Sequence, residues 1–210
     1  MNRGLGYGTM GLLLLLLSAS GVSAETLAGP YHQGRDSDRY RDRTFMGGFE
    51  GRTMLRVHMG MSNPTGDFDN AVNTGWGLGG SIGYGIGRNT VLSGGVAYHH
   101  FGEDGADGHV SIVPITASVD YGFTTHGSVR PWISGGLGVY DLSETFFVPS
   151  LGADVSDSEA DFGINFGFGI AAPVNPHTAW GAGFKFHHIV GSNFPDTDFI
   201  ALQAGLAFPL

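Results

Sequence analysis

The chain of 210 residues contains no cysteine. That excludes disulfides, thiolate metal sites, a cysteine nucleophile and lipidation at an N-terminal cysteine, so any exported fold must hold by hydrogen bonding and packing alone. Basic residues are scarce: ten Lys and Arg stand against nineteen Asp and Glu. A balance this acidic makes nucleic acid an unfavourable partner. Long hydrophobic runs are also missing. The one unbroken apolar stretch near the start, Leu12 to Leu17, is far shorter than the roughly 20 residues a spanning helix needs. A chain of this kind can cross a membrane only as a closed barrel, because every backbone polar group must be satisfied internally.

What is present begins with a leader. Arg3 supplies a positive start, the leucine run follows, and Val22-Ser23-Ala24 fits a small-residue cleavage site. Residues 1–24 read as a secretory signal peptide cut after Ala24. Loss of Arg3 with the leader leaves nine basic and nineteen acidic residues, a net charge of −10. Residues 25–50 show no period and carry the mixed-charge run Arg35 to Arg43. They are expected to form a flexible periplasmic extension.

From Arg52 onward, alternate positions are apolar in eight segments: 52–62, 75–86, 91–101, 110–124, 131–143, 161–173, 179–190 and 199–210. In the sixth, Phe162, Ile164, Phe166, Phe168 and Ile170 share one parity, and Gly163, Asn165, Gly167 and Gly169 the other. A strand sends successive side chains to opposite faces. The less apolar face is mostly Gly, Ser and Ala, a poor surface for water but a good lining for a narrow lumen. Glycine, 37 residues in all, is more than twice its usual share of about 7%. The expected fold is all-β: an eight-stranded antiparallel up-and-down transmembrane β-barrel over residues 51–210, greasy side outward.

The connections alternate long and short. The long ones and their flanks hold Asp67, Asp69, Glu103, Asp104, Asp107, Asp141, Glu144, Asp154, Asp157, Glu159, Asp161, Asp196 and Asp198 and no Lys or Arg, whereas the short turns carry Arg88 and Arg130. In outer-membrane barrels long loops face outward and short turns face the periplasm. Parity places Leu55, Val57, Trp76, Ile82, Val119, Phe166, Phe184 and Leu202 toward lipid. Trp76, Tyr98, Phe162 and Phe186 are expected near the outer end, and Tyr84, Tyr121, Phe123, Trp180 and Phe208 near the inner, as interface anchors. The opposite parity gathers the strand charges Arg56, Asp120 and Lys185 with Asn165, Gln203, His58, His187 and Tyr140. These form an expected polar network in the lumen, because a cation facing mid-bilayer lipid costs roughly 2–4 kcal/mol.

Two stretches and the closing strand then carry a resemblance. Met59-Gly60-Met61-Ser62-Asn63-Pro64-Thr65-Gly66-Asp67-Phe68 leaves the first strand. Val129-Arg130-Pro131-Trp132-Ile133-Ser134-Gly135-Gly136-Leu137-Gly138-Val139-Tyr140 has the order basic residue, proline, aromatic, glycines. The chain finishes with Phe199 to Phe208. Over roughly residues 50–210 the sequence resembles the small eight-stranded outer-membrane barrels, the group of the OmpA-like transmembrane domain and the opacity-type porins. The resemblance implies residence in the outer membrane of a Gram-negative-type bacterium. It also implies contact with outer-membrane lipid and lipopolysaccharide, and handling by the barrel-assembly machinery through the closing strand.

No motif for chemistry emerges. His99, His100, Glu103 and Ser111 supply the residue types of a Ser–His–acid site or a zinc site, but no nucleophile motif or fourth ligand accompanies them. Neither a catalytic residue, a cofactor nor a resident metal is expected. Phe146, Phe147 and Leu151, flanked by acids between the fifth and sixth strands, are the candidate surface contact for a host or neighbouring-cell ligand; the alternative is that the two strands extend beyond the membrane and pack these side chains against each other. The expectation is a monomeric, non-enzymatic barrel with structural and surface-interaction roles through acidic loops. A narrow porin-like channel for small solutes and a lipid-modifying barrel enzyme are the alternatives.

Overall fold

The alternating segments pair in chain order. The computed structural model describes residues 48–102, 108–148, 153–191 and 197–210, with side chains from 146–148 and 153–156 left aside. The strands are β1 (Thr53–Thr65), β2 (Gly75–Gly85), β3 (Thr90–Gly102), β4 (His109–Gly122), β5 (Arg130–Val148), β6 (Ala153–Asn175), β7 (Thr178–Val190) and β8 (Thr197–Pro209). Every neighbouring pair is antiparallel, and β1 closes on β8 from Met54 opposite Pro209 to Thr65 opposite Asp198. No sheet edge is left around the wall, which is the condition for a β-structure in lipid.

The wall has the sidedness that parity implies. Met59, Trp76, Leu78, Ile82, Ile115, Phe166 and Phe168 are exposed on the outside. A soluble protein would not leave so continuous an apolar surface bare. Aromatic rings gather near both ends of the wall: Trp76 lies 5.6 Å from Tyr98 at one, and Tyr121 lies 5.2 Å from Phe123 at the other.

Two features refine the sequence reading. First, β5 and β6 run on past their expected ends at 143 and 161. Their ladder continues from Tyr140 opposite Asp161 to Val148 opposite Ala153. The last pair of β6 with β7 is Phe162–Val190, and β5 leaves β4 at Thr145–His109. The residues Ala153–Asp161 therefore run on beyond β7, with β4 still flanking β5 as far as Thr145 opposite Ser156, and only Phe146–Val148 with Ala153–Val155 form a tip of two strands. Alternation fails to mark them because a ribbon above the membrane needs no greasy face. Second, the chain at Gly48–Gly51, within and just after the segment expected as a flexible extension, folds under the short-turn end. Phe49 N donates to Arg88 O at 3.0 Å and Gly51 N to Gly85 O at 2.9 Å. Gly48 and Gly51 have φ of 111° and 71°, a region glycine enters without the penalty a Cβ brings. The leader and the rest of the extension lie outside the described residues.

Candidate functional site

The lumen divides into two unlike halves. In the outer half the inward parity is apolar. Phe101, Ile112, Tyr140, Ile189 and Phe199 are wholly buried, with Val72 and Leu142 beside them. The connection after β1 contributes to this plug: it makes a short 3-10 turn at Gly66–Asn70, and Phe68 packs edge-on against Phe101 at 5.3 Å. Each fully buried Phe contributes roughly 1.5–3 kcal/mol from its removal from water. The missed signal was apolar residues on both parities at the outer strand ends, as in Ile112-Val113, Ile189-Val190 and Phe199-Ile200.

The inner half holds a cavity of about 220 Å³. Arg56, Asp120, Lys185 and Gln203 all line it. Arg56 Nη2 donates to Asp120 Oδ2 at 2.5 Å, and Ser93 Oγ donates to the same oxygen at 3.1 Å. Asn165, buried, accepts from Ser118 Oγ at 3.4 Å. The expected network is thus an Arg56–Asp120 pair with satellites. Lys185 shares the chamber but, among the described residues, has no carboxylate within 4.0 Å. Trp132, which shares the inward parity of Tyr140 on β5, also lines the chamber. The small residues opposite make room for it: a Cβ on Gly169 or Gly183 would lie 2.6 or 2.7 Å from the indole. Gly83 plays the same part for Arg56, whose Nη2 would be 2.9 Å from an added Cβ.

Two histidines form the partition between the halves. His187 stacks on Phe199 at 4.5 Å and its Nδ1 bonds to the Tyr140 hydroxyl at 2.9 Å. His99 lies 4.8 Å from Phe199 and its Nδ1 bonds to Ser62 Oγ at 2.7 Å. The floor is Arg130, which the sequence placed on a surface turn. It is 8% exposed, donates to Asn89 Oδ1 at 2.8 Å and to Phe123 O at 3.2 Å, and sits 4.5 Å over the Phe49 ring. Such stacking orients a guanidinium while keeping its donors in use.

The structure separates the two histidines of the rim set. His99 faces the lumen, whereas Ser111 pairs in register with His100 and bonds to Tyr98 on the outward side. Glu103 lies outside the described residues. Among the described residues no group of three or more His, Asp or Glu is placed to hold a metal. Of the candidate surface contacts, Phe146 and Phe147 lie on the ribbon backbone opposite Val155 and Asp154, and Leu151 lies outside the described residues.

Solved structures with this architecture are outer-membrane barrels. Neisserial surface protein A is 21% identical, with a TM-score of 0.62 over 76% of this chain and 99% of that one. Ail, the attachment invasion locus protein of Yersinia pestis, is 17% identical, with a TM-score of 0.55 over 77% and 99%, in a structure with the heparin analogue sucrose octasulfate. OprG of Pseudomonas aeruginosa is 14% identical, with a TM-score of 0.51 over 79% and 99%. At these identities the likeness is one of fold. No curated protein matches the chain. The family described as outer membrane protein beta-barrel domain matches residues 12–208. That span takes in every strand of the closed barrel, and the chain belongs to the outer membrane protein beta-barrel domain family.

Proposed function

We infer that this protein is an outer-membrane barrel that acts at the cell surface, as an envelope component with an interaction face, and carries out neither catalysis nor solute conduction. The observation that supports this most is the pairing of a sealed lumen with a projecting ribbon. Fully buried Phe101, Ile112, Tyr140, Ile189 and Phe199 fill the outer mouth, which weighs against the channel reading. The β5–β6 ladder rises past β7 and, at its tip, past β4 as well, and below that tip it carries Glu144, Asp157 and Glu159. From Val57 to Leu210 the basic residues are Arg88, Arg130 and Lys185 alone, and none of them sits in a long connection.

That charge also narrows the partner. A sulfated polyanion of the kind bound by Ail would meet only carboxylates here, so the fitting partner is cationic, or is lipopolysaccharide bridged to these acids by divalent cations. The protein takes its place in the membrane as a monomer, after loss of the leader and assembly by the barrel-assembly machinery.

The test replaces residues 146–153 with a two-residue turn. Folding is read from the mobility difference between unboiled and boiled samples on a denaturing gel. Binding is read as adhesion of whole cells to host cells or to neighbouring bacteria. The expected result is an unchanged heat shift with adhesion lost. Retained adhesion would move the role to the loops around Asp67 and Asp196, and loss of the heat shift would make the ribbon structural. Single-channel conductance by the wild-type protein in planar bilayers would overturn the sealed-lumen part of the reading.

A further inference from the structure

The inner chamber has more positive charge and more hydrogen-bond donors than its own residues can use. Beside the Arg130 floor, two cations, Arg56 and Lys185, share the chamber with a single carboxylate, Asp120. Asp120 is already engaged: Oδ2 accepts from both Arg56 and Ser93. Arg56 Nε is buried with no hydrogen-bond partner. Lys185 sits between Phe184 and Phe186, which face lipid, so its own parity turns it into the chamber, where Asp120 acts on it only from beyond ion-pair distance. Thr116, Ser81 and Gln203 add further donors to the same wall. A cation withdrawn from bulk water without a partner is strongly disfavoured, and two cations sharing one carboxylate around a roomy space call for an acceptor-rich occupant.

We propose that this chamber is a binding site for a small oxyanion, held between Lys185 and the Arg56 guanidinium. The volume of about 220 Å³ suits an ion of phosphate or compact carboxylate size and is below the range of about 300–1,000 Å³ that takes drug-sized ligands. The aromatic plug closes the outer side. Entry is therefore from the periplasmic end, past Phe49 and Arg130, which also line the chamber. The site is independent of the surface role inferred above and would stand if that role failed.

Trp132 provides the reporter, since its indole forms part of the chamber wall. In a Trp76→Phe/Trp180→Phe double variant it is the single tryptophan. Folded in detergent micelles, this variant should show saturable fluorescence quenching by iodide and none by caesium. Inorganic phosphate at constant ionic strength should compete with iodide. Lys185→Met should weaken iodide binding at least fivefold, Lys185→Arg should largely restore it, and the heat-shifted band should persist in both. Asp120→Asn should strengthen it several-fold, because the guanidinium is released to the anion; a merely structural lumen charge would not give that sign. Stronger competition by phosphate than by succinate assigns the site to an inorganic ion, and the reverse assigns it to a small carboxylate. Quenching that is linear in iodide, insensitive to Lys185 and matched by neutral acrylamide would show a water-filled space with no site. Absence of quenching by every agent would show a chamber closed to solution. Either result overturns the proposal.

Discussion

The same strands build both halves of the lumen, and the two halves obey different rules. Along β8, Phe199 is sealed in the plug while Gln203, four residues on, faces the chamber. Along β5, Tyr140 is wholly buried while Ser134 and Trp132 line open space. The outer half is packed as a soluble core is packed, by aromatic rings in edge and stacked contacts. The inner half is thinly furnished, with charges set against glycines. A barrel of eight strands is just wide enough for its side chains, so filling it is a local choice made by side-chain size at each level. Here the barrier between outside and periplasm is made by hydrophobic packing, and the ion pair at mid-lumen lies beneath it.

The difference predicts where substitutions hurt most. Phe199→Ala removes the ring that touches His99, His187 and Phe101, and should cost about 4 kcal/mol, read as a lower urea midpoint for unfolding from lipid vesicles. If the cost is under about 1 kcal/mol, the outer half is not a packed core and the contrast collapses. Phe166→Arg, on the lipid side of the same wall, should cost about 3 kcal/mol. That result would mark the chamber as the place where this barrel tolerates a cation, and a neutral outcome would mean that the parity assignment is inverted.

Asp120→Ala should cost roughly 2 kcal/mol, below the range of about 3–5 for a fully buried pair because Arg56 keeps contact with the chamber space. The double replacement Arg56→Leu/Asp120→Leu should recover most of the loss, since it removes both charges together. A double variant as unstable as the single one would show that the pair holds the wall in place. The smallest effect is at the partition. Tyr140→Phe deletes the hydroxyl bonded to His187 and should cost about 1 kcal/mol, with no gain in conductance. Conductance appearing in that variant would mean that the partition, rather than the plug, is the seal.

Much of the barrel was legible residue by residue. The Phe162–Ile170 alternation placed β6, and the same logic put Arg56, Asp120 and Lys185 on one inner surface. Parity works here because lipid enforces it: one strand face meets a solvent that rejects charge. Where lipid does not reach, the signal vanished. Residues 153–161 read equally as loop or as strand extension, and they ladder with β5. Arg130 read as a residue of a short turn, with nothing to show that it folds inward over Phe49. The plug was missed because apolar residues of both parities, such as Ile189 and Val190, look like any buried strand.

The sequence by itself determined that this chain is a closed eight-stranded wall with its greasy face outward, because period-two alternation and the intolerance of lipid for unpaired backbone leave no other arrangement. It also determined which residues share the lumen. Only the tertiary structure decided how they share it. Arg56 is 64 residues from Asp120 and Tyr140 is 47 from His187, and such meetings depend on strand register and barrel closure. A shift of one residue in any ladder would turn every side chain of that strand to the other face. Register is set by the whole ring of strands at once, so the split into a dry plug and a charged chamber is a property of the closed barrel and of no single segment within it.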